Sequence, residues 1–531
     1  MSERSVLIFG CLMALAFSPS ATADDFADRS TPAPLKFISF DVPRAYPGLP
    51  YTTRMAVLGG DCPYTFVLVK GPDGAQMTPD RGEVLWTPKR EDESAAFEVK
   101  MTDASGKSVT KSWTVKVTKA GFHFVSPTGD DNGDGSLEKP WKTVQHAINQ
   151  ARGTGTIYLR EGVYRERSRP KDSPGGYDEY SLLVGLAMYD LHHQQPTARN
   201  PFVLASYPGE HAVVEPGAED VTGIQVMSPY VVIQDLELRN HRQTALSVAN
   251  FGVVRGCEIH AVRGTTSNCQ AIYAPHGADE FVLQDCHLYD VRQPAMPTHA
   301  NGVCLYRIHD GLFEDNHVHD CDSNGMIDKD GGRGNEFRGN VVHDCGTGIF
   351  VMGQSQHHDI RIYDNLVYGC RVNDTEPGGG IRVGNHEHGV FSTRVHHNTV
   401  IGGLAISRAT DTTVWNCVFQ TPGRMVSGVN PADSPKLMLR RCVFFATSQT
   451  PFKFGPWWQT PAISAPAYFE KAEAKDVLFR KVEFLDAAHH DYRLKMTREL
   501  DALVGPAGRL GADDRVLRWA ADGCSARVRL H

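Results

Sequence analysis

Between residues 322 and 330 the sequence reads Asp-Ser-Asn-Gly-Met-Ile-Asp-Lys-Asp, a run dense in oxygen donors with one lysine set among them. Asp322, Asn324, Asp328 and Asp330 offer the carboxylate and amide oxygens that a hard cation such as calcium takes as ligands. Lys329, partly desolvated beside such a cation, is a candidate base, because both influences favour the neutral amine. Arg382 carries the planar fork that clamps a carboxylate through two parallel hydrogen bonds. Tyr306 and His299 are groups that can deliver a proton. The chemistry these types would do together is proton abstraction from an anionic substrate. They are far apart along the chain, so a repeating architecture has to bring them to one face.

The rest of the composition narrows the setting. Lys plus Arg number 54 against 62 Asp plus Glu, a net charge of −8, which disfavours a nucleic-acid partner because phosphate neutralisation needs a surplus of cations. Apolar residues at 41% and charged residues at 22% exclude wholesale disorder. At the start, Arg4, an apolar run from Val6 to Phe17 and Ala21-Thr22-Ala23 before Asp24-Asp25 read as an export signal cleaved after Ala23. Cys11 lies inside that run, and Phe9 with the continuing apolar residues sets a lipoprotein box aside. The protein is expected to be secreted or periplasmic and without a membrane span, since no later stretch approaches the ~20 apolar residues a transmembrane helix needs.

After residue 230 one pattern recurs: VIQDLELRN at 232–240, VRGCEIHAV at 254–262, LQDCHLYDV at 283–291, FEDNHVHDC at 313–321, FRGNVVHDC at 337–345, IYDNLVYGC at 362–370 and VHHNTVIGG at 395–403. One column therefore holds Leu236, Cys257, Cys286, Asn316, Asn340, Asn365, Asn398, Cys417 and Cys442, and a second holds Val262, Val291, Cys321, Cys345 and Cys370. Short period-two strands repeated at this interval predict a β solenoid in which each turn buries its inner face against its neighbours. Stacked asparagines can bond along the axis and satisfy a tight turn, with cysteine as a small buried substitute. The cysteines are thus expected as free thiols, although Cys321 and Cys345 are near enough in the pattern to bridge.

These residues resemble the right-handed parallel β-helix of the pectate-lyase type, over about residues 121 to 500. The segment FVSPTGDDNGDGSLEKPWKTVQHAINQA at 124–151 resembles the opening of exported carbohydrate-active β-helices, with an amphipathic helix from Trp141 to Ala151 closing the first coil through Val144, Ala147, Ile148 and Ala151. Asp130 to Gly135 match half of an EF-hand loop, but the twelfth position is Trp141, so the segment is read as a turn. Residues 33 to 118 predict a small β-sandwich, and GPDGAQMTPDRGEVLWTP at 71–88 resembles the immunoglobulin-like modules of bacterial exported proteins. Residues 501 to 531 are expected to form a C-terminal cap, following Trp457-Trp458 and HHDYRL at 489–494. The fold class is all-β.

In the resembled fold the substrate groove lies along the first parallel sheet. Here that sheet is placed at the strands beginning at Gly302, Gly325, Gly348 and Gly380. Alternation sends Val303, Met326, Ile349 and Ile381 inward and Cys304, Tyr306, Ile327, Lys329, Phe350, Met352 and Arg382 outward, with Tyr273 and His276 upstream. Tyr306 should sit one coil from Lys329 and Arg382 two coils away, roughly 10 Å. Asp328 is anomalous, since alternation points its carboxylate inward. The acidic run resembles the calcium segment of family-nine pectate lyases, which implies β-elimination on a uronate-containing, anionic polysaccharide. Lys329 would be the base, Arg382 the carboxylate clamp, Tyr306 or His299 the proton donor, and Tyr273, His276, Arg307 and Phe350 the substrate contacts. A glycoside hydrolase using two of Asp322, Asp328 and Asp330, a uronate epimerase, and a non-catalytic carbohydrate-binding protein remain alternatives. His260, His319 and His343 should form an outward ladder on another sheet, read as surface stacking, with metal binding as the alternative.

Overall fold

Single residues in the left-handed conformation set the shape of each coil. Directly before every position of the Asn/Cys column stands one: Asp235 (φ 56°), Gly256 (61°), Asp285 (57°), Asp315 (58°), Gly339 (66°), Asp364 (56°), His397 (52°), Asn416 (52°) and Arg441 (47°). Glycine, aspartate and asparagine tolerate this region best, and one such residue between two extended segments turns the chain sharply into a new sheet. The computed structural model describes residues 33–524 apart from 153, 166–183, 187–195, 217–222, 265–267, 354–356, 372–378, 385–388, 422–425, 428–435, 447–451, 454–461, 464–472 and 505–508. The export signal and Trp457-Trp458 lie outside the described residues.

Among the described residues the repeats wind into three long parallel sheets of 13, 12 and nine strands. One coil runs from Asn324–Lys329 in the nine-stranded sheet, through Glu336–Arg338 in the 13-stranded sheet, to Val341–His343 in the 12-stranded sheet, and enters the next coil at Thr347–Val351. All three inner faces feed one continuous apolar core from Val125 to Phe444. Each turn residue then bonds to the coil above. Asn340 Oδ1 accepts from Asn316 Nδ2 at 3.0 Å and from Asn316 N at 3.0 Å, and Asn340 Nδ2 donates to Asn365 Oδ1 (2.9 Å) and Phe313 O (2.9 Å). Asn365 continues to Asn398. Cys286 stands above the ladder and Cys417 below it; Asn398 N donates to Cys417 Sγ at 3.5 Å. The eleven described cysteines are all free thiols, nine of them buried, and Cys321 and Cys345 do not bridge.

Asn340→Ala is expected to cost on the order of 2–3 kcal/mol, because it strands buried donors and acceptors on two neighbouring coils. Asn340→Cys should cost less, since Cys286 and Cys417 already fill that column. Urea titration of the two variants checks both values.

The helix spans Val144–Ala151 and buries Val144, Ala147, Ile148 and Ala151 against the first strands. It starts after Thr143, later than Trp141, because Asp131 reaches over from the acidic turn and accepts from Lys142 N, Thr143 N and Thr143 Oγ1. The turn therefore serves the helix and holds no half EF-hand. At the other end, the expected cap differs in position. Residues 484–504 and 509–524 fold back along the flank of the 12-stranded sheet, where Val516, Leu517 and Ala520 pack with Val341, Leu366, Val418 and Val443. No described helix is long and apolar enough to cross a membrane.

The N-terminal segment forms small sheets around a core of Trp86, Phe97 and Trp113. It is fixed to the outer face of the 13-stranded sheet. Ile38, Ala56 and Leu58 cover Val203, Val232, Val253, Val282 and Leu312. Beside this stripe Arg54, only 1% exposed, binds Asp285 (2.5 Å), Asp315 (2.6 Å) and Glu314 (3.3 Å). Burial opposes the Arg54 charge, but the three carboxylates outweigh it and hold the guanidinium firmly protonated.

Several buried imidazoles set the acid response. Burial pushes His241 down to about 4 from 6.5, and burial with the Arg509 and Arg441 cations pushes His397 down to about 3. Between those values and the ordinary histidine value the unfolded chain binds protons that the folded chain does not, so stability rises with pH through that window and falls as pH drops through it. The melting temperature should decline steadily from pH 7.5 to pH ~4.5. A flat profile there would contradict neutral burial of these rings.

Candidate active site on the nine-stranded sheet

The glycines that open these strands are a packing requirement. A Cβ on Gly325 would lie 2.4 Å from Val342 and 2.8 Å from the Gly348 carbonyl, and Gly302, Gly348 and Gly380 meet the same obstruction one coil up or down. This pinch between sheets fixes where each strand begins, and therefore which residues point out. Register pairs Tyr306 with Lys329, Cys304 with Ile327, Ile327 with Phe350 and Phe350 with Arg382.

One group of sequence-predicted residues meets. Lys329 Nζ lies 3.4 Å from Tyr306 Oη and 5.3 Å from the centre of its ring. Tyr273 packs edge-on against Tyr306 at 5.7 Å, and His276 lies 5.8 Å from it. His276 Nε2 is 3.2 Å from Asp330 Oδ2, and Arg307 Nε donates to the Asp330 carbonyl at 3.1 Å. Lys329, two phenols, an imidazole and a carboxylate are thus gathered across three coils. Burial, then neighbouring Cys304 and Asp330, raise the Tyr306 phenol to about 12, and burial raises Tyr273 to about 12, so both keep their protons at neutral pH. His299 stands at the start of the Tyr306 strand, its Nδ1 2.8 Å from Thr298 Oγ1. Burial and then the Lys329 charge lower its imidazole, so it is neutral near pH 7.

Other residues are placed differently. Arg382 lies two coils from Ile327, and Ile327 precedes Lys329 by two residues, which sets Arg382 about 12 Å from Lys329 rather than directly in line. Its guanidinium stacks 4.3 Å from the centre of the Phe350 ring. Phe350 itself is 6% exposed and packs with Cys304 and Ile327, so it is a buried platform under Arg382 and presents no open ring to a sugar.

The four oxygen donors do not form one shell. Asp322 accepts from Gln293 N at 2.8 Å and pairs with Arg292 at 3.1 Å. Asn324 is buried and donates to Asn301 Oδ1 at 2.8 Å. Asp328 does point inward, without a bulge; it is fully buried, its Oδ2 accepts from Asn335 Nδ2 at 2.8 Å, and its Oδ1 lies 3.4 Å from His357 Nε2. Asp330 faces His276 outside. The physical reason is strand geometry: donors on an extended strand separate by ~3.3 Å per residue and alternate faces. Among the described residues Asp322, Asp328 and Asp330 do not bring oxygens within 4.8 Å of one another, so this set does not fit a single calcium ion. The same arrangement removes Asp328 from any pair of hydrolytic carboxyls, since it serves the core. Asn268, a further hydrogen-bond partner of Tyr306, and the Asp328–His357–Asn335 contact were not anticipated; both depend on partners that alternation along one strand does not reveal.

Residues 123–350 match the family model described as Pel9A-like, right handed beta helix region. Pectate lyase PEL9 of Emericella nidulans is 30% identical over 92 residues, 17% of this chain and 18% of that protein. The uncharacterized protein YwoF of Bacillus subtilis is 24% identical over 181 residues, 34% of this chain and 31% of that protein. The chain thus spans less than a third of the length of the curated relatives it matches. Among solved structures, a rhamnogalacturonan lyase overlaps 66% of this chain and 99% of its own, with 12% identity and a TM-score of 0.45. Pectate lyase Pel9A overlaps 74% and 89%, with 13% identity and a TM-score of 0.37. The three parallel sheets make the chain a parallel β-helix, and its residues 123–350 are similar to the family model of a right-handed β-helix region.

Proposed function

We propose that this protein is an exported polysaccharide lyase that cleaves a uronate-containing chain by β-elimination on the nine-stranded sheet. The observation that carries the reading is the contact of Lys329 Nζ with Tyr306 Oη at 3.4 Å, beside Tyr273 and His276. In its amine form Lys329 takes the proton from the carbon that bears the substrate carboxylate. The electrons of that C–H bond form a C=C bond to the neighbouring carbon, and the C–O bond to the leaving sugar breaks. A group that still holds its proton must meet the departing oxygen, and the Tyr306 phenol does so at neutral pH. Tyr273 and His276 supply an aromatic and hydrogen-bonding wall for the ring bound there. Arg382, stiffened on Phe350, would hold a carboxylate at a further sugar along the same chain. The partly matching sequence of a pectate lyase supports this substrate class.

Tyr306→Phe tests the division of roles. It keeps the ring against Tyr273 and removes only the hydroxyl, so kcat on the cleaved polysaccharide should fall ~10²-fold or more while KM stays within a few-fold. Unchanged kcat would remove Tyr306 from the chemistry.

A further inference from the structure

The 12-stranded sheet carries a second cluster, on a face separate from Lys329. Its outward column stacks His260, Tyr289, His319, His343 and Tyr368, with ring centres 4.6 to 5.1 Å apart and planes within 9° of parallel. Beside it runs a shorter column of His287 and His317, stacked at 4.6 Å. The two columns touch through ring nitrogens: His287 Nε2 is 2.9 Å from His319 Nε2, and His317 Nε2 is 2.8 Å from His343 Nε2.

Such contacts need a lone pair on one nitrogen of each pair, and the carboxylates decide which. His319 Nδ1 lies 2.7 Å from Asp320 Oδ2, and His343 Nδ1 lies 2.7 Å from Asp344 Oδ2. Each aspartate keeps a proton on Nδ1, which leaves the Nε2 lone pairs of His319 and His343 aimed at the other column. A carboxylate on the far nitrogen is how proteins orient a metal-binding imidazole. His317 is 7% exposed, and its Nδ1 is buried with no hydrogen-bond partner. One ring nitrogen from each of His287, His317 and His319 lies within 4.8 Å of the others. A zinc ion with Zn–N bonds of about 2.0–2.1 Å needs nitrogens roughly 3.4 Å apart, within reach of small ring rotations.

We propose that His287, His317 and His319 form a site for a divalent first-row transition metal of the zinc class, joining two successive coils of the 12-stranded sheet. Imidazole ligands suit this class, whereas calcium and magnesium prefer oxygen. A cavity of about 170 Å³ reaches two of the three imidazoles, His287 and His317, between Cys257, Cys286 and Trp519, and has room for a water beside them. Trp519 of the helix Asp514–Ala521 closes over His317, with ring centres 6.0 Å apart, so the ion would also steady the C-terminal segment.

The test uses tag-free full-length protein stripped by a chelator, dialysed, and titrated with Zn²⁺ alone. Calorimetry and elemental analysis should give one Zn²⁺ per chain and a raised melting temperature. The double variant His287→Gln/His317→Gln should lose that ion. Asp320→Asn should still fill at saturation, with affinity lowered ~10–100-fold. Loading the wild type with Co²⁺ should give the intense visible bands of four-coordinate nitrogen ligation, a reading that does not depend on any variant folding. Sub-stoichiometric Zn²⁺ in the wild type, equal binding by the double variant, or only the weak bands of six-coordinate Co²⁺ would overturn the site.

Discussion

Lys329→Ala should lower turnover of the cleaved polysaccharide by ~10²–10⁴-fold, the range a positioned general base contributes. Lys329 stands at the outer edge of its strand, half-buried, with its amine against Tyr306, so truncation leaves the inner face of the coil intact. Stability should therefore change by no more than about 0.5 kcal/mol, as for other substitutions outside the core. The pairing of large catalytic loss with small stability loss separates a chemical role from a structural one. Lys329→Arg retains charge but has no accessible neutral form, and should stay within a few-fold of the alanine variant. If it recovered most of the activity, a cation at this position would be sufficient and proton abstraction by Lys329 would be wrong.

Arg54→Ala should cost ~3–5 kcal/mol, the largest effect on stability of any substitution considered, because it leaves buried carboxylates without their shared cation. Asp315 is fully buried, and Glu314 and Asp285 are nearly so. Arg81, Arg338 and Arg515 remain on Asp285, Glu314 and Asp315, which keeps the loss inside that range. Arg54→Lys should recover only part of it, since one ammonium cannot span three acceptors in the way the guanidinium fork does. Urea denaturation followed by tryptophan fluorescence checks the value, with Trp86 and Trp113 reporting on the N-terminal sheets. A loss below ~1 kcal/mol would mean that the N-terminal segment is held by the apolar stripe at Ile38, Ala56 and Leu58 alone.

What the sequence reveals about this molecule is whatever repeats locally. The Asn316–Asn340–Asn365–Asn398 ladder, the stacked thiols and the buried face of the helix at Val144–Ala151 each follow from spacing within a few residues, and each is present. Alternation gave the direction of Asp328 and of Phe350. It could not give what covers them: Asn335 meets Asp328 from later in the same coil and His357 from the next coil, and Arg382 closes over Phe350 from the coil that follows Phe350. That is why a calcium shell at Asp322, Asn324, Asp328 and Asp330 looks plausible along the chain and does not assemble in space. Arg54 and Asp285 are 231 residues apart, so the joint between the N-terminal segment and the β-helix carries no local signature. The fold-back of residues 484–504 and 509–524 onto the 12-stranded sheet is hidden for the same reason. His287 and His317 are a different case, since each directly follows a residue of the Asn/Cys column and faces the same way as Tyr289 and His319. Their alternation is local, but their nitrogen contacts with the outer column join residues 32 and 26 positions apart, which local spacing does not show.

The central claim is elimination rather than hydrolysis, and one measurement separates them. Wild-type protein is incubated with a panel of uronate-containing polysaccharides while near-ultraviolet absorbance and new reducing ends are followed together. Each elimination leaves one C=C bond, conjugated with the carboxylate, on the new non-reducing end and releases one new reducing end on the other fragment, so absorbance and reducing ends should rise in a fixed one-to-one ratio. Reducing ends that accumulate with no near-ultraviolet absorbance would contradict the account and assign the nine-stranded sheet to a hydrolase.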